Sequence, residues 1–147
     1  MTPRKINNGV ITQRIQWVRQ MMECIRDLPL QNKKDFLKNK HNIAAAESYL
    51  RRALEALFDI GRHILARRFA HPATEYKEIA AGLLERKVIP AKDAELLRQM
   101  AGYRNRMVHF YHEISAEELF DICAHHLDEI KLVLDLLVRW LLKHRKS

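Results

Sequence analysis

The sequence predicts an all-α protein, an up-and-down bundle of about five helices, and three observations predict it. Of 147 residues only four are Gly and four are Pro, so little of the chain is given to turns. Apolar residues recur at steps of three and four along most of the length, the period of a helix with one buried face. No segment shows the every-second-residue alternation of a half-buried strand. Amphipathic helices joined by short links pack as a bundle. A chain of this length is expected to form one domain, 1–147, with a core that needs neither disulfides nor metals.

The first helix is expected from about Asn8 to Asp27, with Ile11, Ile15, Val18, Met22 and Ile25 on one stripe and Pro29 beyond its end. A polar connection then runs from Gln31 to Lys40. The second helix is long, about Asn42 to Phe69, with Leu50, Ala53, Leu57, Ile60 and Ile64 as its seam, and His71-Pro72 closes it. Thr74 is placed to cap a shorter third helix reaching about Arg86. Pro90 precedes a fourth, about Lys92 to His112. On it, Leu96, Met100, Tyr103, Met107, Phe110 and Ile114 form the stripe expected to face the core. Ser115-Ala116-Glu117-Glu118 has capping-box spacing and opens a last helix to about Lys143.

That last helix is strongly apolar, but Lys131, Asp135 and Arg139 recur every four residues along it, and a membrane span needs roughly 20 apolar residues. It reads as amphipathic, with no membrane role. Leu132, Val133, Leu136 and Val138 widen its apolar side beyond one stripe, which points to a second subunit as an additional neighbour. Cys24 and Cys123 stand far apart on or beside apolar stripes, the pattern of free buried thiols in a reducing compartment. The amino terminus has no apolar run resembling a secretion signal, so a cytoplasmic location is expected.

Twenty-six Lys and Arg against 18 Asp and Glu give a formal charge of +8. Such a field attracts an acidic polymer such as RNA without identifying it. No zinc finger, glycine-rich phosphate loop or RNA-recognition sheet signature accompanies it. His109, His112 and Glu113 offer metal-ligand atoms, but they spell His-x-x-His-Glu, not the His-Glu-x-x-His of zinc proteases, and no full ligand set is apparent. Neither a metal nor a cofactor is expected, and no activated serine or cysteine nucleophile is defined.

The stretch from Arg104 to Tyr111 carries the chemistry. It combines a permanent cation, an amide, an imidazole and a phenol near the end of a helix, on the side opposite the expected core stripe. Taken singly, an arginine on a helix face is usually a surface charge and a histidine usually structural. Together, a histidine can take and return protons near neutrality, and an arginine offers a fixed fork to phosphate oxygens. That pair fits metal-independent RNA cleavage: the histidine handles the proton of a ribose 2′-hydroxyl or of the leaving oxygen, and the arginine stabilises charge on the phosphate. On an ideal helix, however, Arg104 and His109 diverge by about 140°. A two-fold dimer that apposes two such helices would relieve this by supplying both residues twice around one cleft.

Arg104, four intervening residues, His109, one residue and Tyr111 match the Arg-x4-His-x-Tyr signature of HepT-like toxins, a branch of the HEPN (higher eukaryotes and prokaryotes nucleotide-binding) superfamily. Asn105, directly after the arginine, fits as well, and the helical layout resembles the family over nearly the whole chain. The resemblance implies a homodimeric ribonuclease toxin that cuts transfer or messenger RNA, paired with an MntA-type minimal nucleotidyltransferase antitoxin. It implies Arg104 and His109 as the catalytic pair, Asn105 as a supporting polar group, and Tyr111 as the tyrosine to which the antitoxin transfers AMP. Arg106 and His112 are further RNA-contact candidates. The competing reading is a non-catalytic nucleotide- or RNA-binding regulatory partner of the transferase, and a plain helical adaptor stands behind it.

Overall fold

In the computed structural model, which describes residues 5–109 and 114–144, the longest helix organises all the others. In chain order the described helices are α1 (Asn8–Arg26), α2 (Lys33–Lys38), α3 (Lys40–Phe69), α4 (Tyr76–Glu85), α5 (Ala91–Val108), α6 (Ala116–His125) and α7 (Leu127–His144). Among the described residues there is no strand. α3 has 30 residues, about 45 Å at 1.5 Å each, and touches each of the other six helices. Its expected seam is buried, as are Leu54, Phe58 and Leu65 beside it, because neighbours pack on several of its sides. No helix among the described residues is long and apolar enough to cross a membrane.

The all-helical class holds, but there are seven described helices where about five are expected. The expected connection from Gln31 to Lys40 contains α2. The Asn32 side chain caps it by accepting from Asp35 N–H at 3.2 Å, and fully buried Phe36 anchors it 5.2 Å from the Phe120 ring. A six-residue helix held by one aromatic ring is too short to show a period. The expected single last helix is broken at His126, whose backbone leaves the helical region (φ −121°, ψ 6°). Its Nδ1 lies 2.6 Å from Glu129 Oε1, so the histidine joins the first turn of α7. Neither Gly nor Pro marks that break.

Caps divide similarly. The Ser115 hydroxyl accepts from Glu118 N–H at 3.1 Å, as the capping-box spacing predicts. Thr74 does not cap α4; Glu75 holds that position without a side-chain bond, and the Thr74 carbonyl instead accepts from Arg62. On α1 the expected stripe is buried apart from half-buried Ile15. On α5 the core contact shifts to Ala94, Leu97, Met100 and Ala101, with Leu96, Tyr103 and Met107 only half-buried beside it. Phe110 falls outside the described residues. Cys123 is buried, which pushes its thiol up to about 12, while Cys24 is half-buried; both are free thiols.

Two glycines set the seat of α4. A Cβ on Gly61 would lie 2.9 Å from Leu83 Cδ1 and 3.0 Å from Ile79 Cγ2, and one on Gly82 would lie 2.9 Å from Leu65 Cδ1. The two helices therefore meet so closely that any larger side chain at either glycine has to displace the Leu83, Ile79 or Leu65 side chain. This close approach lets Tyr76, the first residue of α4, stack on Phe58 of α3 with ring centres 4.7 Å apart and planes 7° from parallel.

Candidate active site

α5 ends at Val108, four residues short of its expected end, and this early stop shapes the site. His109 adopts extended backbone (φ −96°, ψ 115°) while its N–H still donates to the Asn105 carbonyl at 3.0 Å. The 140° divergence expected of a continuous helix therefore does not apply. Arg104, Asn105 and His109 all line one cleft of about 590 Å³, closed on its other side by Arg62 of α3 and by Thr74, Glu75, Tyr76 and Lys77 at the start of α4. One chain brings together three of the residues singled out in the sequence.

Arg104 is not on a solvated face turned from the core, as the helical wheel suggests. Its side chain folds back across α3 and α4. Nε and Nη2 donate to Glu55 Oε2 at 3.2 and 3.0 Å, and the guanidinium carbon lies 4.4 Å from the centre of the Tyr76 ring. Arg62 approaches the same ring at 5.6 Å while pairing with Asp59 at 2.8 Å. Tyr76 is thus a platform between two cations. Burial pushes its phenol above the ordinary value, against the lowering pull of Arg104. Glu55 uses the Nε–Nη2 edge of the fork and leaves the Nη1 edge for a ligand. The Asn105 amide and the His109 imidazole make no hydrogen bond to another described side chain, so both can face a bound group.

Arg106 is elsewhere. Two residues turn about 200° around a helix, and its guanidinium forms a two-bond pair with Glu118 of α6 at 2.6 and 2.7 Å, outside the cleft. Arg106 therefore stands apart from the cleft that Arg104, Asn105 and His109 line. Tyr111, His112 and Glu113 lie outside the described residues. Among the described residues, no three His, Cys, Asp or Glu side chains form a group able to hold a metal ion.

Reading the motif alone misses Glu55, Arg62 and Tyr76. They lie 28 to 49 positions earlier in the chain, and only the packing of α3 and α4 brings them in. A half-buried aromatic at a helix start next to a Thr-Glu pair carries no local signal of a site.

The sequence profile of the family described as "Ribonuclease HepT-like" matches residues 16–137, a span that contains Arg104, Asn105 and His109. The chain belongs to the HepT-like ribonuclease family. Among HepT-like relatives, the mRNA nuclease HepT of Shewanella oneidensis is 24% identical over 133 residues, covering 88% of this chain and 97% of the relative. A solved structure of a tri-AMPylated Shewanella oneidensis HEPN toxin in complex with an MNT antitoxin superposes with a TM-score of 0.82 at 21% identity, covering 90% of this chain and 99% of that one. The Bacillus subtilis cytosolic protein YutE, of unknown function, superposes with a TM-score of 0.80 at 14% identity, covering 97% and 96%. The HepT-like fold is thus shared with a protein of no known activity, and function has to be argued from the cleft.

Proposed function

We propose that this chain is a metal-independent endoribonuclease toxin whose activity resides in the Arg104–Asn105–His109 cleft. The observation that carries the reading is the stop of α5 at Val108, which puts the His109 imidazole and the Arg104 guanidinium on one cleft wall. His109 removes the proton from a ribose 2′-hydroxyl, and the 2′-oxygen forms a bond to the adjacent phosphorus. The bond from phosphorus to the 5′-oxygen breaks, and that oxygen takes up a proton. The products are a 2′,3′-cyclic phosphate and a 5′-hydroxyl. Arg104, with Asn105 beside it, stabilises the charge that gathers on the phosphate oxygens during transfer.

The protein acts as a homodimer in the cytoplasm. Leu132 (43% exposed) and Leu142 (59% exposed) on α7 leave apolar surface for a second copy. An arrangement in which the two-fold axis also apposes the clefts would supply a second imidazole to protonate the leaving oxygen. A nucleotidyltransferase antitoxin restrains the activity by transferring AMP to Tyr111: the tyrosine oxygen bonds to the α-phosphorus of ATP and pyrophosphate leaves. Bulk and negative charge beside Arg104 then exclude RNA. The name of the Shewanella relative makes messenger RNA the first substrate to test.

The Arg104–Glu55 pair favours the non-catalytic alternative, since a guanidinium already neutralised suits holding a nucleotide without reacting on it. The two readings part at His109. Purified protein in EDTA should cleave RNA and lose that cleavage on His109→Ala; binding without cleavage in the wild type would select the regulatory reading.

A further inference from the structure

A cavity larger than the Arg104 cleft lies elsewhere on the described chain. It is a groove of about 770 Å³ between the ends of α3 and α4, the start of α5 and the last turns of α7. Arg68, Arg86, Lys87, Arg139 and Lys143 line it, and no lining residue is acidic. This contrasts with the ion-paired arginines elsewhere, where Arg14 and Arg62 share Asp59, Arg51 pairs with Glu47 and Glu55, Arg98 with Glu95, and Arg106 with Glu118. Among the described residues, Arg86, Lys87, Arg139 and Lys143 have no carboxylate partner. The groove therefore presents several cations with no carboxylate in its wall to offset them.

Two aromatic rings stand in the groove wall. Arg86 lies 5.5 Å over Phe69, Arg68 lies 5.9 Å over Trp140, and the rings are 6.0 Å apart. A second copy docked groove to groove would bring the same cations against these and be repelled. An acidic peptide would use the charge but not the rings. A single-stranded nucleic acid uses both, with phosphates on the cations and bases against the aromatic wall, where the His144 ring already stacks on Trp140 with centres 4.1 Å apart.

The groove and the cleft are joined by the same helices in opposite senses. α4 starts at the cleft and ends at the groove, and α5 starts at the groove and ends at the cleft. Ten and 18 residues at 1.5 Å each put the two sites about 15–27 Å apart. At about 3.4 Å per stacked nucleotide, a strand of roughly four to eight nucleotides spans them.

We infer that this basic, aromatic-lined groove is a second RNA-binding site, which holds the strand flanking the bond cut at the Arg104–His109 cleft. The inference rests on the ribonuclease reading for its substrate and is tested independently of it. In the full chain carrying His109→Ala, fluorescence anisotropy measures binding of a labelled 12-nucleotide single-stranded RNA. The triple variant Arg86→Gln, Arg139→Gln, Lys143→Gln should weaken binding about tenfold or more at 0.1 M salt. It should also flatten the dependence of log affinity on log salt by about 2, three contacts at roughly 0.7 each. The charge-keeping pair Arg139→Lys and Lys143→Arg should bind as the parent does. With His109 restored, the triple variant should raise KM for the 12-mer and leave turnover of a dinucleotide, which reaches only the cleft, unchanged. Unaltered affinity and salt slope in the triple variant would overturn the inference. So would a triple variant that keeps RNA binding but loses binding to phosphatidylserine vesicles, which would make the groove a lipid site. If the wild type binds RNA through the groove and cleaves none, the groove stands and the ribonuclease reading falls.

Discussion

The Arg104 guanidinium lies 4.4 Å from the centre of the Tyr76 ring while two of its nitrogens rest on one oxygen of Glu55. Both contacts come from helices remote in sequence, and they hold the arginine at a fixed angle to the cleft. Their roles differ. Tyr76 orients the cation through its face, worth about 1–2 kcal/mol where partly desolvated. Tyr76→Phe keeps that face and should retain most RNA cleavage, whereas Tyr76→Ala should lower kcat about tenfold; equal rates for the two would remove the platform role.

Glu55 partly neutralises the cation proposed to hold RNA. Glu55→Gln keeps an oxygen to accept from Arg104 but leaves the cleft one unit more positive. KM for RNA should fall by about three- to tenfold, the scale of one charge interaction near a protein surface, with kcat little changed. A raised KM would mean that the carboxylate is needed to position the fork.

Arg106 serves as the internal control. Its pair with Glu118 is more than a third exposed, so Arg106→Ala should cost no more than about 1 kcal/mol of stability and leave the chemical step intact. Arg104→Ala, two residues away, should abolish cleavage. Comparable losses in both variants would place the chemistry outside the cleft.

Much of the fold is legible in the sequence because burial imposes a period. The stripes of α1 and α3 and the cap at Ser115 follow from apolar spacing and one hydroxyl. The misses have local causes. α2 is too short for a period, and the break at His126 is made by a side-chain bond to Glu129 without Gly or Pro. The end of α5 falls inside a run that continues the helical pattern. That last miss matters most, since a continuous helix separates Arg104 from His109 and the actual stop unites them. The catalytic candidates are readable as a motif; Tyr76 and Glu55 are not, because only tertiary packing brings them there.

Two histidines give stability opposite pH dependences. His126 is raised by its bond to Glu129, so its contribution is complete below the unfolded value of 6.5 and is lost as pH rises through the higher folded value. His63 is lowered by burial and by Arg67, and its Nε2 accepts from Asn7 N–H at 3.0 Å. Its contribution is complete above 6.5 and is lost as pH falls toward the lower folded value. Melting curves of His63→Gln should lose the acid-side decline and those of His126→Gln the alkaline-side one; unchanged profiles would show that neither titration is linked to folding.

Ala70 ends α3 in the left-handed region (φ 49°, ψ 39°), a conformation that favours glycine. Relief of about 1–2 kcal/mol of backbone cost outweighs the extra unfolded-state entropy of glycine. Ala70→Gly should raise the melting temperature by about 2–4 °C. A lower melting temperature would mean that the Ala70 methyl contributes packing greater than the strain.

The proposed control through Tyr111 can be tested separately from the proposed catalysis. Co-expression with a nucleotidyltransferase antitoxin should add AMP-sized mass to Tyr111 and suppress cleavage, and Tyr111→Phe should cleave RNA while escaping that suppression. Modification at another residue, or normal inhibition of Tyr111→Phe, would refute the switch and leave the cleft assignment standing.

The most direct measurement is the chemistry of the RNA ends left by purified protein in EDTA. Proton removal by His109 and attack by the 2′-oxygen predict a 2′,3′-cyclic phosphate on one product and a 5′-hydroxyl on the other, with both absent for His109→Ala and for Arg104→Ala. A 3′-hydroxyl with a 5′-phosphate, or the same cyclic ends from a folded His109→Ala protein, would contradict the account.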